Sequence, residues 1–312
     1  MASYTVIGSG IAGLSLALEL TRLGIPVRVI EYRDYAGGIN SIYPDVGKFI
    51  ESALRSINVE YGHTAVVVDD EYYEVWRDGY RKLGDNAIAA TGFRVMTLPE
   101  LGIYGDRPAG IYPFHAVLDL IHYGLLPGRN VVVYGDNPYA VLMSKALLER
   151  GCSVTLVTPG KMDLGGMARD IEVLHGRVRY VKGSGRVERV LINDTWVKAD
   201  TLVISMFKPY NPFPRLKAVG QAIIETYSPD IVIESGRILA RELVSHGEYV
   251  VIDSDVPVFP SNRVSRDSRR VIITLRGGGK VIINDREYVV MGDAAVIELP
   301  DTDKVVIRRV VQ

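Results

Sequence analysis

Short apolar blocks closed by glycine or polar turns alternate along this chain with longer stretches whose apolar positions recur every three or four residues. The blocks read as strands buried on both faces, and the longer stretches as amphipathic helices. Tyr4-Thr5-Val6-Ile7 predicts a strand, Leu14 to Leu23 a helix, and Val27-Arg28-Val29-Ile30 a second strand after the turn Gly24-Ile25-Pro26. The pattern recurs downstream, with a strand at Asn130 to Tyr134, a helix at Val141 to Arg150 and a strand at Val154 to Val157. Two β-α-β units in one chain predict a parallel-sheet α/β fold used twice. Between them lie a helix around Phe49 to Ile57, an antiparallel meander over Val59 to Val68 and Tyr72 to Trp76 turning at Asp69-Asp70, and an apolar strand at Asn86 to Ala90. Beyond the second unit come strands within Gly176 to Ile192, a strand at Ala199 to Ser205, and a helix at Pro229 to Ser245 with Ile231, Ile238, Leu239 and Leu243 on one face. From Glu248 onward the alternation is short and β-like. Gly277-Gly278-Gly279 reads there as a hairpin turn.

The turn of the first unit is Gly8-Ser9-Gly10-Ile11-Ala12-Gly13, a G-x-G-x-x-G run between strand and helix. Gly8 supplies the tight turn, Gly10 allows a pyrophosphate to approach the backbone, and Gly13 allows close helix–strand packing. The helix terminus offers free N–H groups and a positive dipole end to that anion. Glu31 closes the second strand 18 positions after Gly13, where an acid for a ribose belongs. Together these predict a bound dinucleotide; the alternative is a glycine turn in an ordinary β-α-β unit. The second turn, Gly135-Asp136-Asn137-Pro138-Tyr139-Ala140, departs from the pattern. Asn137 stands where the second glycine belongs, and Thr158 where the acid belongs. Gly135, Asn137 and Ala140 are candidates for a second nucleotide. Lys161 is either a contact for a 2′-phosphate or a solvated surface lysine.

The 312 residues carry a net charge of −1, which argues against a nucleic-acid partner. No apolar run is long enough for a membrane span, and the first strand starts at Tyr4, so the expectation is a cytoplasmic protein. Cys152 is the single cysteine, which excludes a dithiol or a cysteine-rich metal site within this chain. His63, His115, His122, His175 and His246 show no metal-ligand spacing and no partnered nucleophile, so no metal site and no catalytic acid or base is assigned. Scarce Cys and Gln with abundant Val, Ile, Tyr and Arg suit a thermophile.

Several further stretches carry a family resemblance. Ala90-Thr91-Gly92-Phe93-Arg94 is followed by Gly105-Asp106-Arg107-Pro108-Ala109-Gly110-Ile111, then Leu126-Pro127-Gly128-Arg129, Gly183-Ser184-Gly185-Arg186-Val187-Glu188-Arg189-Val190, Gly220-Gln221 and Asp230-Ile231-Val232-Ile233-Glu234-Ser235-Gly236. With the two units and the Gly37-Gly38 doublet, this order resembles the FAD-dependent pyridine nucleotide-disulfide oxidoreductases. It is most similar to the small members that accompany anaerobic glycerol-3-phosphate and dye-linked amino-acid dehydrogenases. The resemblance implies an α/β fold of two nested Rossmann-like domains of the three-layer ββα FAD/NAD(P)-binding type, with a small C-terminal all-β module. It implies an FAD domain at 1–97 plus 205–247, an NAD(P)-binding-like domain at 98–204, and the β module at 248–312.

The resemblance also implies residue roles. Gly8, Ser9, Gly10, Ile11, Ala12 and Gly13 hold the FAD pyrophosphate. Glu31 with Tyr32 meets the adenosine ribose, Gly38 lies close to the cofactor, and a backbone group near Ala65 meets the adenine. Ala90, Thr91 and Gly92 cross back beneath FAD. Gly220 matches the glycine of a late Gly-Asp pair whose aspartate holds the ribityl chain; Gln221 replaces that aspartate. The helix opening at Asp230-Ile231 aims its N-terminus at the flavin pyrimidine or simply packs in the core. Relatives place substrate-facing Cys and His residues after the doublet, whereas this chain has Ile39-Asn40-Ser41-Ile42-Tyr43. Asn40, Tyr43 and Lys48 read there as a surface loop. The implied function is an FAD-dependent oxidoreductase that passes electrons between NAD(P)H and an acceptor without a dithiol. The alternative is a non-catalytic or electron-carrying FAD subunit, with or without ATP in the second site, of a larger dye-linked dehydrogenase complex. The expected partners are small-molecule nucleotides and either further copies of the chain or the other subunits of such a complex.

Overall fold

The computed structural model describes residues 3–160 and 169–310. The chain forms two compact units, Met1–Phe93 with Pro209–Gln312, and Arg94–Lys208.

The first unit is built on a five-stranded parallel sheet in the spatial order Lys217–Ala218, Ala87–Ala89, Tyr4–Ile7, Val27–Glu31, Val59–Tyr61. Side chains alternate across it, as strand geometry requires. Val6, Val29 and Ile88 join the core beneath the helices Ile11–Arg22 and Pro229–Val244. Ile7, Ile30, Ala87 and Ala89 face the opposite way, toward Tyr72 of an antiparallel meander. That meander is Thr64–Val68, Glu71–Trp76 and Gly79–Lys82. The result is three layers: helices, parallel sheet, meander. Val59 to Tyr61 therefore belongs to the parallel sheet rather than to the meander, whose strands turn through left-handed Asp69 (φ 49°) and Asp70 (φ 61°).

The second unit repeats the plan. Its parallel sheet runs Ile111–Pro113, Thr201–Ile204, Asn130–Tyr134, Ser153–Thr158, Glu172–His175. Val132, Tyr134, Val157, Leu202 and Ile204 pack against Val178, Val181, Val190 and Ile192 of an overlying four-stranded sheet. The helices Phe114–His122 and Pro138–Leu148 cover the other side.

The C-terminal strands form a sandwich. A five-stranded sheet (Arg263–Ser265, Tyr249–Ser254, Lys304–Arg309, Gly279–Ile283, Arg286–Val290) lies with a three-stranded one (Val258–Phe259, Arg270–Thr274, Ala294–Glu298). Val271 and Ile273 enter the sandwich core with Val250, Val281 and Val305, while the intervening Ile272 joins the helix core with Phe259 and Ala294. This continuous apolar run is thus apolar on both faces because both faces are covered. The strands either side of Gly277-Gly278-Gly279 lie in different sheets, so the triplet, at positive φ throughout (76°, 75° and 139°), carries the chain from one sheet to the other and is not a hairpin turn. Among the described residues no helix is long and apolar enough to cross a membrane.

Candidate functional site

In the first unit the fingerprint is a turn whose three glycines meet three different surroundings. Gly8 has φ +110°, and a Cβ there would stand 2.6 Å from the Ala90 carbonyl oxygen. A Cβ on Gly13 would stand 2.1 Å from the Gly8 oxygen, so backbone contact demands glycine. Gly10 is under neither constraint. Its φ is −63°, and a Cβ on it meets nothing within 4 Å. Gly10 is also the N-cap of the helix Ile11–Arg22, which no side chain caps. Open space therefore lies before a bare helix terminus with no acidic residue in its first turn, a ready anion site.

The neighbouring residues converge on this turn. Glu31 is buried, and its Oε2 accepts from the Ser9 N–H at 2.9 Å and the Ser9 hydroxyl at 2.8 Å. Its Oε1 accepts from the Arg33 N–H at 3.0 Å, leaving acceptor capacity for a further donor. Tyr32 is exposed, with the Arg33 guanidinium 4.4 Å from its ring centre. The Gly37 N–H donates to the Ser9 carbonyl at 2.9 Å, and a Cβ on Gly38 would lie 3.3 Å from the Gly10 Cα, so the doublet rests on the turn. Ala90 follows the neighbouring strand and donates its N–H to the Ile7 carbonyl at 2.9 Å. Thr91 Oγ1 donates to the Tyr210 carbonyl at 3.0 Å, and Gly92 is left-handed at φ +74°.

A second helix terminus reaches the same region. Gly220 (φ +65°) would drive a Cβ to 2.4 Å from the Ala12 Cβ, and a Cβ on Gly236 would meet the Ala12 oxygen and Leu16 nitrogen at 2.6 Å. The helix Pro229–Val244 thus lies in backbone contact with the fingerprint helix, tied by Ser15 Oγ to the Ile233 carbonyl (2.7 Å) and by Arg241 to Glu19 (2.9 Å). Its N-cap Ser228 makes no side-chain cap. Asp230 is exposed in its first turn and Ile231 packs partly into the core.

Gln221 and Asn40 form a buried amide pair, Asn40 Nδ2 donating to Gln221 Oε1 at 3.0 Å while Gln221 Nε2 donates to the Thr226 carbonyl at 2.7 Å. Asn40 therefore belongs to the interior and not to a surface loop. Tyr43 likewise turns inward, donating to the Tyr227 carbonyl at 2.7 Å with its phenol pKa raised by burial. Asn40 lies within the 3-10 turn Gly38–Ile42, and Tyr43 is its C-cap. Only Lys48 of the three is exposed. Ala65 lies elsewhere, on the first meander strand opposite Glu74.

Sequence reasoning missed Glu74. Its side chain is fully buried, and Arg81 (2.6 Å), Arg28 (3.1 Å) and His63 (2.6 Å) close on it. Burial works against its charge, but these hydrogen bonds outweigh burial and hold its pKa near about 2. The signal was a carboxylate on the apolar phase of the strand, between Tyr72 and Trp76. Glu60, His63 and Glu74 bring ligand atoms within 4.8 Å of one another, a cluster that sequence spacing does not reveal. Arg28 also binds Glu60 at 2.6 Å, so two guanidinium groups already neutralise the two carboxylates and disfavour a cation.

The second unit builds the same turn and fills it. The Gly135 N–H donates to the Val157 carbonyl at 3.0 Å, as Gly8 does to Ile30 at 2.8 Å. A Cβ on Gly135 would meet the Ser205 oxygen at 2.5 Å, as Gly8 meets Ala90. At the next glycine position stands Asn137, buried, as N-cap of Pro138–Leu148. Its Oδ1 accepts from the Ala140 N–H at 3.2 Å and its Nδ2 donates to the Ser205 carbonyl at 2.5 Å. Thr158 is buried and donates to the Gly160 carbonyl at 3.1 Å. Lys161 lies outside the described residues.

Residues 2–206 match the family described as pyridine nucleotide-disulphide oxidoreductase. Among solved structures the chain is similar to a NAD-dependent persulfide reductase from A. fulgidus, at 18% identity and TM-score 0.60 over 90% of this chain and 67% of that one. It is similar to an L-proline dehydrogenase from P. horikoshii, at 19% identity and TM-score 0.58 over 78% of this chain and 55% of that one. A T. acidophilum thioredoxin reductase aligns at 17% identity and TM-score 0.59 over 77% of this chain and 97% of that one. At these identities the likeness is one of fold. A lycopene-forming phytoene desaturase from Pantoea ananas is 49% identical over 47 residues, 15% of this chain and 10% of the desaturase. The chain thus spans a small part of that relative and about half of the proline dehydrogenase chain.

Proposed function

The chain belongs to the pyridine nucleotide-disulphide oxidoreductase family, FAD-dependent enzymes that use NAD(P)H, and from that premise we propose that it moves electrons from a nicotinamide nucleotide through FAD to an acceptor outside this chain. One observation carries the placement of FAD. Among the described residues nothing stands within 4 Å of a Cβ placed on Gly10, and the space before it and the uncapped helix terminus behind it suit a pyrophosphate. In this reading the turn from Gly8 through Ser9, Gly10, Ile11 and Ala12 to Gly13 holds the pyrophosphate. Glu31, already fixed by Ser9, takes a ribose hydroxyl, with Tyr32 beside it. Gly38 leaves room near the turn, and the Ala65 backbone lies toward the adenine. Ala90, Thr91 and Gly92 carry the chain beneath the cofactor. Gly220, Gln221 and the terminus at Asp230-Ile231 face its flavin half. FAD supplies the hydride-accepting ring when bound, and the protein supplies position and electrostatics.

The acceptor lies outside this chain because its single cysteine, Cys152, is buried against the Gly128 carbonyl with its thiol pKa raised by burial. The segment 98–204 serves as the nicotinamide-nucleotide domain, and the remainder as the FAD domain with its C-terminal sandwich. The test is anaerobic mixing of the FAD-loaded chain with NADH and then NADPH, followed by visible absorption. Bleaching within seconds supports the proposal and identifies the donor. A second reading, an electron-carrying FAD subunit within a larger dehydrogenase, draws on the Asn137 cap that occupies the second helix terminus. Flavin bands indifferent to both nucleotides, but bleached by a partner subunit and its substrate, would select it.

A further inference from the structure

Outside the nucleotide turns, the second unit carries an organised surface on its four-stranded sheet, Thr195–Lys198, Arg189–Ile192, Val178–Lys182 and Tyr104–Gly105 in spatial order. The inner face of this sheet is accounted for: Val181, Val190 and their neighbours pack into the core. The outer face bears two ordered rows. Tyr104 stands opposite Tyr180, Tyr180 opposite Leu191, and Leu191 opposite Trp196. Tyr104 is 67% exposed, Tyr180 39% and Trp196 41%, a continuous apolar row open to solvent. Two residues along each strand, Lys182 stands opposite Arg189 and Arg189 opposite Lys198. Like charges directly opposite one another disfavour a sheet. None of the three cations pairs with a carboxylate among the described residues. The nearby acids Asp106 and Glu188 are taken by the Gly183 and Ser184 N–H groups at 3.0 and 3.2 Å.

We propose that this face docks a partner protein through an amphipathic helix whose apolar stripe lies on the Tyr104–Tyr180–Leu191–Trp196 row and whose flanking carboxylates meet Lys182, Arg189 and Lys198. The dimensions agree. Four strands place the ends of the apolar row about 14 Å apart, the length of between two and three helical turns. The charge pattern selects an acidic occupant over a second copy of this face, whose two rows bring no carboxylate to the three cations. The aromatic geometry selects protein over single-stranded nucleic acid. Tyr180 and Trp196 meet edge to face at 6.1 Å, and the Arg189 guanidinium covers one Trp196 face at 4.7 Å, so the rings are not free stacking platforms. The surface is independent of whether the nucleotide assignment above holds.

The test uses the full chain carrying Trp76→Phe, so that Trp196 alone reports. The probe is a synthetic helix of about five turns with a leucine stripe flanked by glutamates, compared with the same helix carrying lysines. The glutamate helix is expected to shift Trp196 emission to the blue and to bind more weakly as salt rises. The combined change Lys182→Glu, Arg189→Glu and Lys198→Glu is expected to weaken binding at least about tenfold with circular dichroism unchanged. If that variant fails to fold, Lys198→Glu alone, on the outermost strand, gives the same direction. Equal binding of the lysine helix, binding undiminished by charge reversal, preference for an oligothymidylate, or self-association abolished by the reversal would each overturn the proposal.

Discussion

At Gly10 the first β-α-β unit leaves its helix terminus bare, and at Asn137 the second caps its own. Around those positions the two turns match almost bond for bond, from the glycine N–H that closes each turn to the carbonyl, Ala90 or Ser205, pressed against it. One side chain therefore separates a terminus that no side chain caps from one whose Ala140 N–H is taken by Asn137. The outer layers diverge in the same sense. The first unit's meander neutralises its charges internally around Glu74, while the second unit's overlying sheet presents to solvent a row of cations with no carboxylate partner among the described residues. A shared scaffold does not entail a shared task, and the difference resides in a handful of positions.

The strongest way to break this comparison is at the glycines. Gly13→Val drives a side chain into the Gly8 carbonyl and should cost over about 3 kcal/mol, read as a large loss of melting temperature. At Gly10 an added Cβ meets nothing within 4 Å among the described residues, so Gly10→Val should melt close to the natural chain yet bind FAD about a hundredfold more weakly or worse, read by equilibrium dialysis.

Glu74 comes next. With its pKa held near about 2, its contribution is whole above the ordinary carboxylate range and is lost as pH falls through that range toward 2, to a total of about 3 kcal/mol. Urea denaturation between pH 5 and 2.5 should lose that slope in Glu74→Gln, and a slope unchanged by the substitution would refute the assignment.

Glu31→Ala leaves the buried Ser9 donors unsatisfied and removes the ribose acceptor. It should cost about 1–3 kcal/mol in thermal stability and weaken FAD binding in parallel. Asn137→Gly removes a cap and strands the Ser205 carbonyl, a loss of about 1 kcal/mol. It should also tighten NADH binding, measured by fluorescence titration, because the second terminus then resembles the first. Smallest of all, Cys152→Ala should leave flavin reduction unchanged in stopped flow, since the thiol is buried against the Gly128 carbonyl.

The elements that read clearly from the chain were those whose signal is local. The first turn was legible because a strand, three spaced glycines, a helix and an acid all fall within Tyr4 to Glu31. The two nested units were legible because apolar blocks repeat. What stayed hidden depends on distant partners. The Asn40–Gln221 pair joins residues 181 positions apart, and nothing local marks Asn40 as interior. Val59 to Tyr61 reads like meander until Glu31 is seen to pair with it. The Gly277 to Gly279 turn reads as a hairpin because β pattern shows strands but not which sheet each joins. Asn137 was visible as a departure, yet only its bonds to Ala140 and Ser205 reveal it as a cap.

The central claim, that the bare terminus at Gly10 is where the flavin dinucleotide binds, is tested most directly by visible absorption of three proteins purified alike after loading with FAD: the natural chain, Gly10→Val and Asn137→Gly. The account predicts flavin bands of equal strength in the natural chain and Asn137→Gly, and none in Gly10→Val despite an unchanged melting temperature. Full flavin occupancy in Gly10→Val, or flavin lost through Asn137→Gly instead, would contradict it.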